Sequence, residues 1–154
     1  GLTSSFNAAT CMFDSLNHML TVDELHAALS EVRQSLVPGG WFLFDLNTEA
    51  AYLTHWDEQY DLPESNGRVV CSATYNRHSR HGRFTLSIKR VSGENRATEE
   101  VVLLQRCHSR SEILSTIESS GLLLTATFGL ENGACISAPG PDVERVFYLC
   151  RKPA

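Results

Sequence analysis

The residues best equipped for chemistry sit almost at the start of the chain. In CMFDSLNHM, positions 11–19, the side chains of Asp14, Ser15, Asn17 and His18 all donate or accept hydrogen bonds. They follow directly on FNAATC, a short strand-like run of small and apolar residues. Polar groups gathered where a strand ends read as the rim of a ligand pocket. Each also has a plainer reading. Asp14 and Ser15 can cap the short helix that follows, and His18 can bond locally at a helix end. A second polar tip, Asp45-Leu46-Asn47, closes the apolar run WFLF, and is equally readable as a strand-end turn. His78 and His81 have a spacing that could take a metal, but on an exposed turn such a pair usually does not. No metal site is expected.

The elements around these residues have clear punctuation. FNAATC (6–11) is a strand candidate. In the segment TVDELHAALSEVRQSLVPGG, Thr21 and Glu24 form a T-x-x-E capping box. Leu25, Leu29, Val32 and Leu36 follow at helical spacing, and Pro38-Gly39-Gly40 is expected to stop the helix. WFLFD (41–45) has the uninterrupted apolar character of a strand buried on both faces, as in a parallel sheet covered by helices. Strand, helix and strand make one βαβ unit of a doubly wound sheet.

From Asn47 to Glu64 the pattern is irregular, with the aromatic side chains Tyr52, Trp56 and Tyr60 and the ambivalent His55. Three runs, 68–76, 83–91 and 97–107, then read as an antiparallel meander whose turns are HSRHG and SGEN. SRSEILSTIESSG (109–121) is a second boxed helix, from Ser109 and Glu112 to a left-handed Gly121. LLLTATFGL and ERVFYLCRK complete the chain as strands.

Composition limits the partners. The 154 residues are 42% hydrophobic and 20% charged, ordinary for one globular domain with its own core. A net charge of −5 gives no reason to expect nucleic acid or an anionic membrane. No apolar run approaches the roughly 20 residues of a membrane helix. The start GLTSSFNAAT lacks the layout of a signal peptide, and a first residue of Gly1 implies that translation begins upstream. Five scattered cysteines, Cys11, Cys71, Cys107, Cys135 and Cys150, form neither a zinc framework nor a disulfide scaffold. Free thiols fit a reducing cytoplasm.

Taken together, CMFDSLNHM, the boxed helix and LVPGGWFLFDLNT resemble the second half of class I S-adenosylmethionine-dependent methyltransferases. In that family one strand ends in a "fDSLNyl" tip, a helix closes with L-x-P-G-G, and the next strand carries "fifDlNt". RSEILSTIESSGL and the strands after it resemble the family's last helix and antiparallel strand pair. The match runs from Phe6 to about Arg151, with residues 11–48 its most specific part; Phe6-Asn7 stands where the family usually has Phe-Asp. The family's first strands are not matched. The chain contains no G-x-G, so the glycine-rich turn that approaches the cofactor is not found in it.

The resemblance implies an α/β fold: the last strands of a Rossmann-like methyltransferase sheet, with an inserted three-stranded meander. Residues 47–107 would form a cap over the substrate within a single domain 1–154. It implies S-adenosyl-L-methionine as cofactor, met by Cys11, Met12, Phe13, Ser15 and Asn17. His18 becomes the general base, in the position of a histidine found in sugar N-methyltransferases. Asp45, Asn47, Tyr52, His55 and Trp56 would face a small-molecule methyl acceptor; packing against a neighbouring helix is the plainer reading of the last three. With half a cofactor site, the isolated chain is expected to bind cofactor poorly. The exposed edge of the first strand could self-associate. The alternative reading is a non-catalytic association or substrate-binding module on the same fold.

Overall fold

The computed structural model describes residues 4–64, 67–92, 95–131, 134–137 and 139–154. Two sheets divide the chain. The first is five-stranded, in the order β1-β2-β9-β7-β8. Strand β1 (Phe6–Cys11) pairs in parallel with β2 (Leu36–Asn47), through helix α1 (Val22–Ser35). Strand β9 (Arg145–Arg151) runs antiparallel between β2 and β7 (Leu123–Glu131), and β8 (Ala134–Ser137) borders β7. The parallel βαβ unit read from the sequence is present. β8 was not anticipated.

Helix α1 begins where Thr21 accepts the Glu24 N–H while the Glu24 carboxylate accepts the Thr21 N–H. It ends at Ser35, earlier than the Pro-Gly-Gly stop suggested. A residue before proline is pushed out of the helical region, so Leu36 and Val37 already run extended into β2. Leu25 and Leu29 are fully buried beneath α1. Helix α3 (Arg110–Ser119) repeats the pattern with Ser109 and Glu112, and Gly121 takes the expected left-handed conformation at φ 78°. Both helices pack on one face of the sheet. There Phe42, Phe44 and Tyr148 stack in series, with ring centroids 5.0 and 5.1 Å apart. Trp41 is 38% exposed, so β2 is not buried on both faces along its whole length.

The second sheet corrects the three-stranded meander. Its order is β3-β4-β5-β6, all antiparallel: β3 (Gln59–Glu64), β4 (Gly67–Asn76), β5 (His81–Ser92) and β6 (Asn95–Arg106). The stretch read as irregular contains helix α2 (Glu49–His55) and β3. β3 escapes a pattern reading because Pro63 and the acidic residues of QYDLPE are poor strand formers. Such a sequence suits an edge, where β3 lies. The expected turn over SGEN falls at 93–94, outside the described residues.

The sheets are joined at the polar tip. Ser15–His18 forms one 3-10 turn, and its Asn17 is completely buried. The Asn17 carboxamide accepts the Asn47 N–H at 2.9 Å and donates to the Arg106 carbonyl at 2.9 Å. One side chain therefore ties the end of β2 to the end of β6.

Candidate functional site

At the end of β1 the backbone is strained. Phe13 and Asp14 are consecutive non-glycine residues in the left-handed region, φ 61° and 51°. Such conformations cost free energy and persist only where the surroundings impose them. The restraint comes from β2 and β9. The Asp14 N–H donates to Asp45 at 3.1 Å, and Arg145 reaches both carboxylates, Asp45 at 2.7 Å and Asp14 at 3.0 Å. The same turn projects the Phe13 ring into solvent, 82% exposed.

The other Asp14 oxygen leads to the second sheet. Gln105 Nε2 donates to it at 2.6 Å, and the Tyr52 hydroxyl donates to Gln105 Oε1 at 3.0 Å. Gln105 Nε2 also lies 3.3 Å from His18 Nε2. His18 Nδ1 is 2.8 Å from the Leu104 carbonyl, which can only accept, so the ring proton belongs on Nδ1. His18 Nε2 is left as the lone-pair nitrogen, facing a weak amide donor on an exposed ring. A nitrogen so placed can accept a proton. The Tyr52 hydroxyl keeps its proton: burial, with the charges of Cys107 and Asp14, raises its pKa.

The remaining expected residues divide. Cys11 is half-buried, its thiol pushed up by burial and by Asp45 against the opposing Ser15 bond, so it is no reactive thiolate. Met12 is half-buried beside it, and its carbonyl accepts the exposed Ser15 hydroxyl at 2.8 Å. Asn17 serves as a joint with no face open to a ligand. Asp45, 1% exposed, is an ion-pair partner below the tip and lines no open crevice. Asn47 has its backbone held by Asn17, and its half-buried residue lines a cavity on the other face of β2. Tyr52 and Trp56 follow the packing alternative. Their rings lie 4.9 Å apart and pack on Tyr75, Phe84 and Gly82 of the second sheet. His55 is exposed at the far end of α2, 3.1 Å from Glu144.

Two members of the site were missed, Arg145 and Gln105. Arg145 opens an apolar strand, a position where a charge usually marks only the strand's end. Gln105 sits in β6 beyond four apolar residues; once that strand is placed, an inward-facing amide is the available signal. Among the described residues, no three His, Cys, Asp or Glu side chains converge as metal ligands. Among the same residues, no helix is long and apolar enough to cross a membrane.

No family model and no curated protein matches the sequence. The fold has counterparts among solved structures. An S-adenosylmethionine-dependent methyltransferase from Clostridium acetobutylicum ATCC 824 superposes with a TM-score of 0.79 at 17% identity, over 100% of this chain and 61% of that one. The CcbJ methyltransferase from Streptomyces caelestis gives 0.73 at 14% identity, over 98% and 59%. The sugar N-methyltransferase KedS8 from Streptoalloteichus sp ATCC 53650 gives 0.71 at 15% identity, over 100% and 59%. The fold is that of class I S-adenosylmethionine-dependent methyltransferases, and the chain spans about three fifths of the length of these structures.

Proposed function

We propose that the chain is the acceptor-side portion of an S-adenosylmethionine-dependent methyltransferase, acting on a small molecule through an amine or hydroxyl. The observation that carries this reading is the His18 ring, held by Leu104 and Gln105 with its Nε2 lone pair beside the strained tip of β1. That tip fits one wall of a sulfonium site: Cys11, Met12 and the exposed Phe13 offer thiol, thioether and aromatic surface, which suits a soft cation. When bound, the cofactor supplies an electrophilic methyl group. His18 takes the acceptor's proton at Nε2, Gln105 and Leu104 hold the ring, and Phe13 shields the acceptor from water.

The opposite wall comes from elsewhere. β1 is an edge of its sheet, with Phe6 43% exposed, and its unpaired backbone groups require a cover. Further sheet from the same protein or a second copy would supply it. The segment from α2 to β6 caps the acceptor, and the reducing cytoplasm suits its free thiols.

Two measurements test this. Calorimetric titration of the 154 residues with S-adenosylmethionine should show weak binding or none; tight binding would contradict the divided site. In a protein that supplies the missing wall, His18→Ala should lower turnover more than cofactor affinity. Unchanged turnover across the pH range removes His18 from the mechanism. A folded assembly that ignores the cofactor supports the alternative, a non-catalytic association module.

A further inference from the structure

Side chains alternate along a strand, so β2 and β9 present two different surfaces. Asp45 and Arg145 point to the face of the ion-pair cluster. Leu46, Val146 and Tyr148 point to the other, the face that carries α1 and α3. There they border a cavity of about 660 Å³, completed by the first turn of α3, Asn47–Glu49, Arg80 and the loop Pro139–Pro141. That volume is within the range of small-molecule sites. The proton-transfer groups proposed above lie outside it.

Its polar lining is unpaired in an unusual way. Tyr148 is 4% exposed and its ring is stacked on Phe44, yet its hydroxyl has no hydrogen-bond partner among the described residues. That oxygen is not among the polar atoms sealed in the interior, so it meets the cavity. Burial raises its pKa to about 12 against the pull of Arg110, so the hydroxyl keeps its proton and donates. His108 is 3% exposed; its Nε2 donates to the Met19 carbonyl at 2.8 Å, leaving Nδ1 a buried acceptor without a partner. At the mouth, Arg110 is exposed on the first turn of α3. The N–H groups of Arg110 and Ser111 stand outside the Ser109–Glu112 capping box, and the N-terminal end of a helix favours an anion.

We propose that this cavity binds the carboxylate or phosphate group of a small organic anion through Arg110, the first-turn N–H groups of α3 and the Tyr148 hydroxyl, its body resting on Leu46, Ile113, Val146 and Pro139. Glu49 accepts hydroxyl or amine donors on that body. The assignment is independent of the methyl-transfer reading, since the two surfaces lie on opposite faces of the same strands.

Amide-resolved NMR titration of the intact chain tests it, with inorganic phosphate and, separately, benzoate as probes. The expected result is saturable shifts at Arg110, Ser111 and Tyr148 with at least one probe, at a Kd of about 5 mM or tighter. The tighter probe identifies the anionic group. Arg110→Gln, at an exposed position, should weaken binding about tenfold or more, and Tyr148→Phe about fivefold, both with native spectra elsewhere. Failure of both probes to saturate overturns the proposal. So does an affinity that survives Tyr148→Phe within about twofold, because the anion then lies outside the cavity.

Discussion

Arg145 donates to Asp45 across two adjacent strands, Nη1 to Oδ2 at 2.7 Å, although register sets Asp45 opposite Phe147 and Arg145 opposite Asn47. The contact is therefore diagonal, on one face of β2 and β9, and within reach of a long side chain. Because Asp45 also accepts the Asp14 N–H, this pair is what fixes the strained tip.

Removing the cation should expose that dependence. In Arg145→Met, the buried Asp45 carboxylate keeps only the Asp14 N–H, and stability should fall by about 2–3 kcal/mol. Urea denaturation measures it. Asp45→Asn combined with Arg145→Met should cost less than the two single losses added together, since neither charge is then stranded. A loss under about 0.5 kcal/mol in Arg145→Met would mean the pair is dispensable.

Gly82 is required by a neighbour. A Cβ built there would lie 2.5 Å from Trp56 Cζ3 and 3.0 Å from a Tyr52 ring carbon. Rings packed on both sides cannot yield cheaply, so Gly82→Ala should destabilise by about 1–3 kcal/mol. Thermal denaturation and a change in Trp56 fluorescence would report it. A wild-type melting temperature would show that α2 is free to move off the second sheet.

His108 gives a pH dependence with a definite sign. Burial comes first in lowering its pKa below the ordinary 6.5; Arg106 and Arg80 add to this, against the Met19 bond and Glu112. The unfolded chain therefore binds the proton more readily, and stability rises with pH through the interval just below 6.5. Acidification through that interval should cost stability in the wild type and less in His108→Gln. Urea midpoints at closely spaced pH values measure the difference. Parallel curves would show that His108 is not buried as a neutral ring.

Much of this was legible from residues 11–48 and 109–121, because helix boxes and a buried strand are local patterns. Thr21 with Glu24, and Ser109 with Glu112, state their helix starts within four residues. β3 and β8 were not legible, since edge strands need little hydrophobicity and the alternation of QYDL is cut short at Pro63. The site was half legible. Asp14 and His18 stand together in sequence, but their partners Gln105 and Arg145 arrive from two other strands. Asn17 misled for the same reason. Its type suits a ligand, and only the fold shows its amide spent on Asn47 and Arg106.

The reading of His18 as a base makes a demand on the ring that can be checked without cofactor or substrate. The Leu104 carbonyl fixes hydrogen on Nδ1, and the Gln105 amide favours a bare Nε2. At a pH where the ring is neutral, nitrogen-15 correlation spectra should therefore show the Nδ1–H tautomer predominating at His18. Gln105→Leu removes the donor to Nε2 together with the partners of Tyr52 and Asp14. The tautomer preference should weaken in that variant, while the bond to Leu104 still holds part of it. If the wild-type ring carries its hydrogen on Nε2, that nitrogen has no lone pair to receive a proton. His18 would then be only a structural tie to β6.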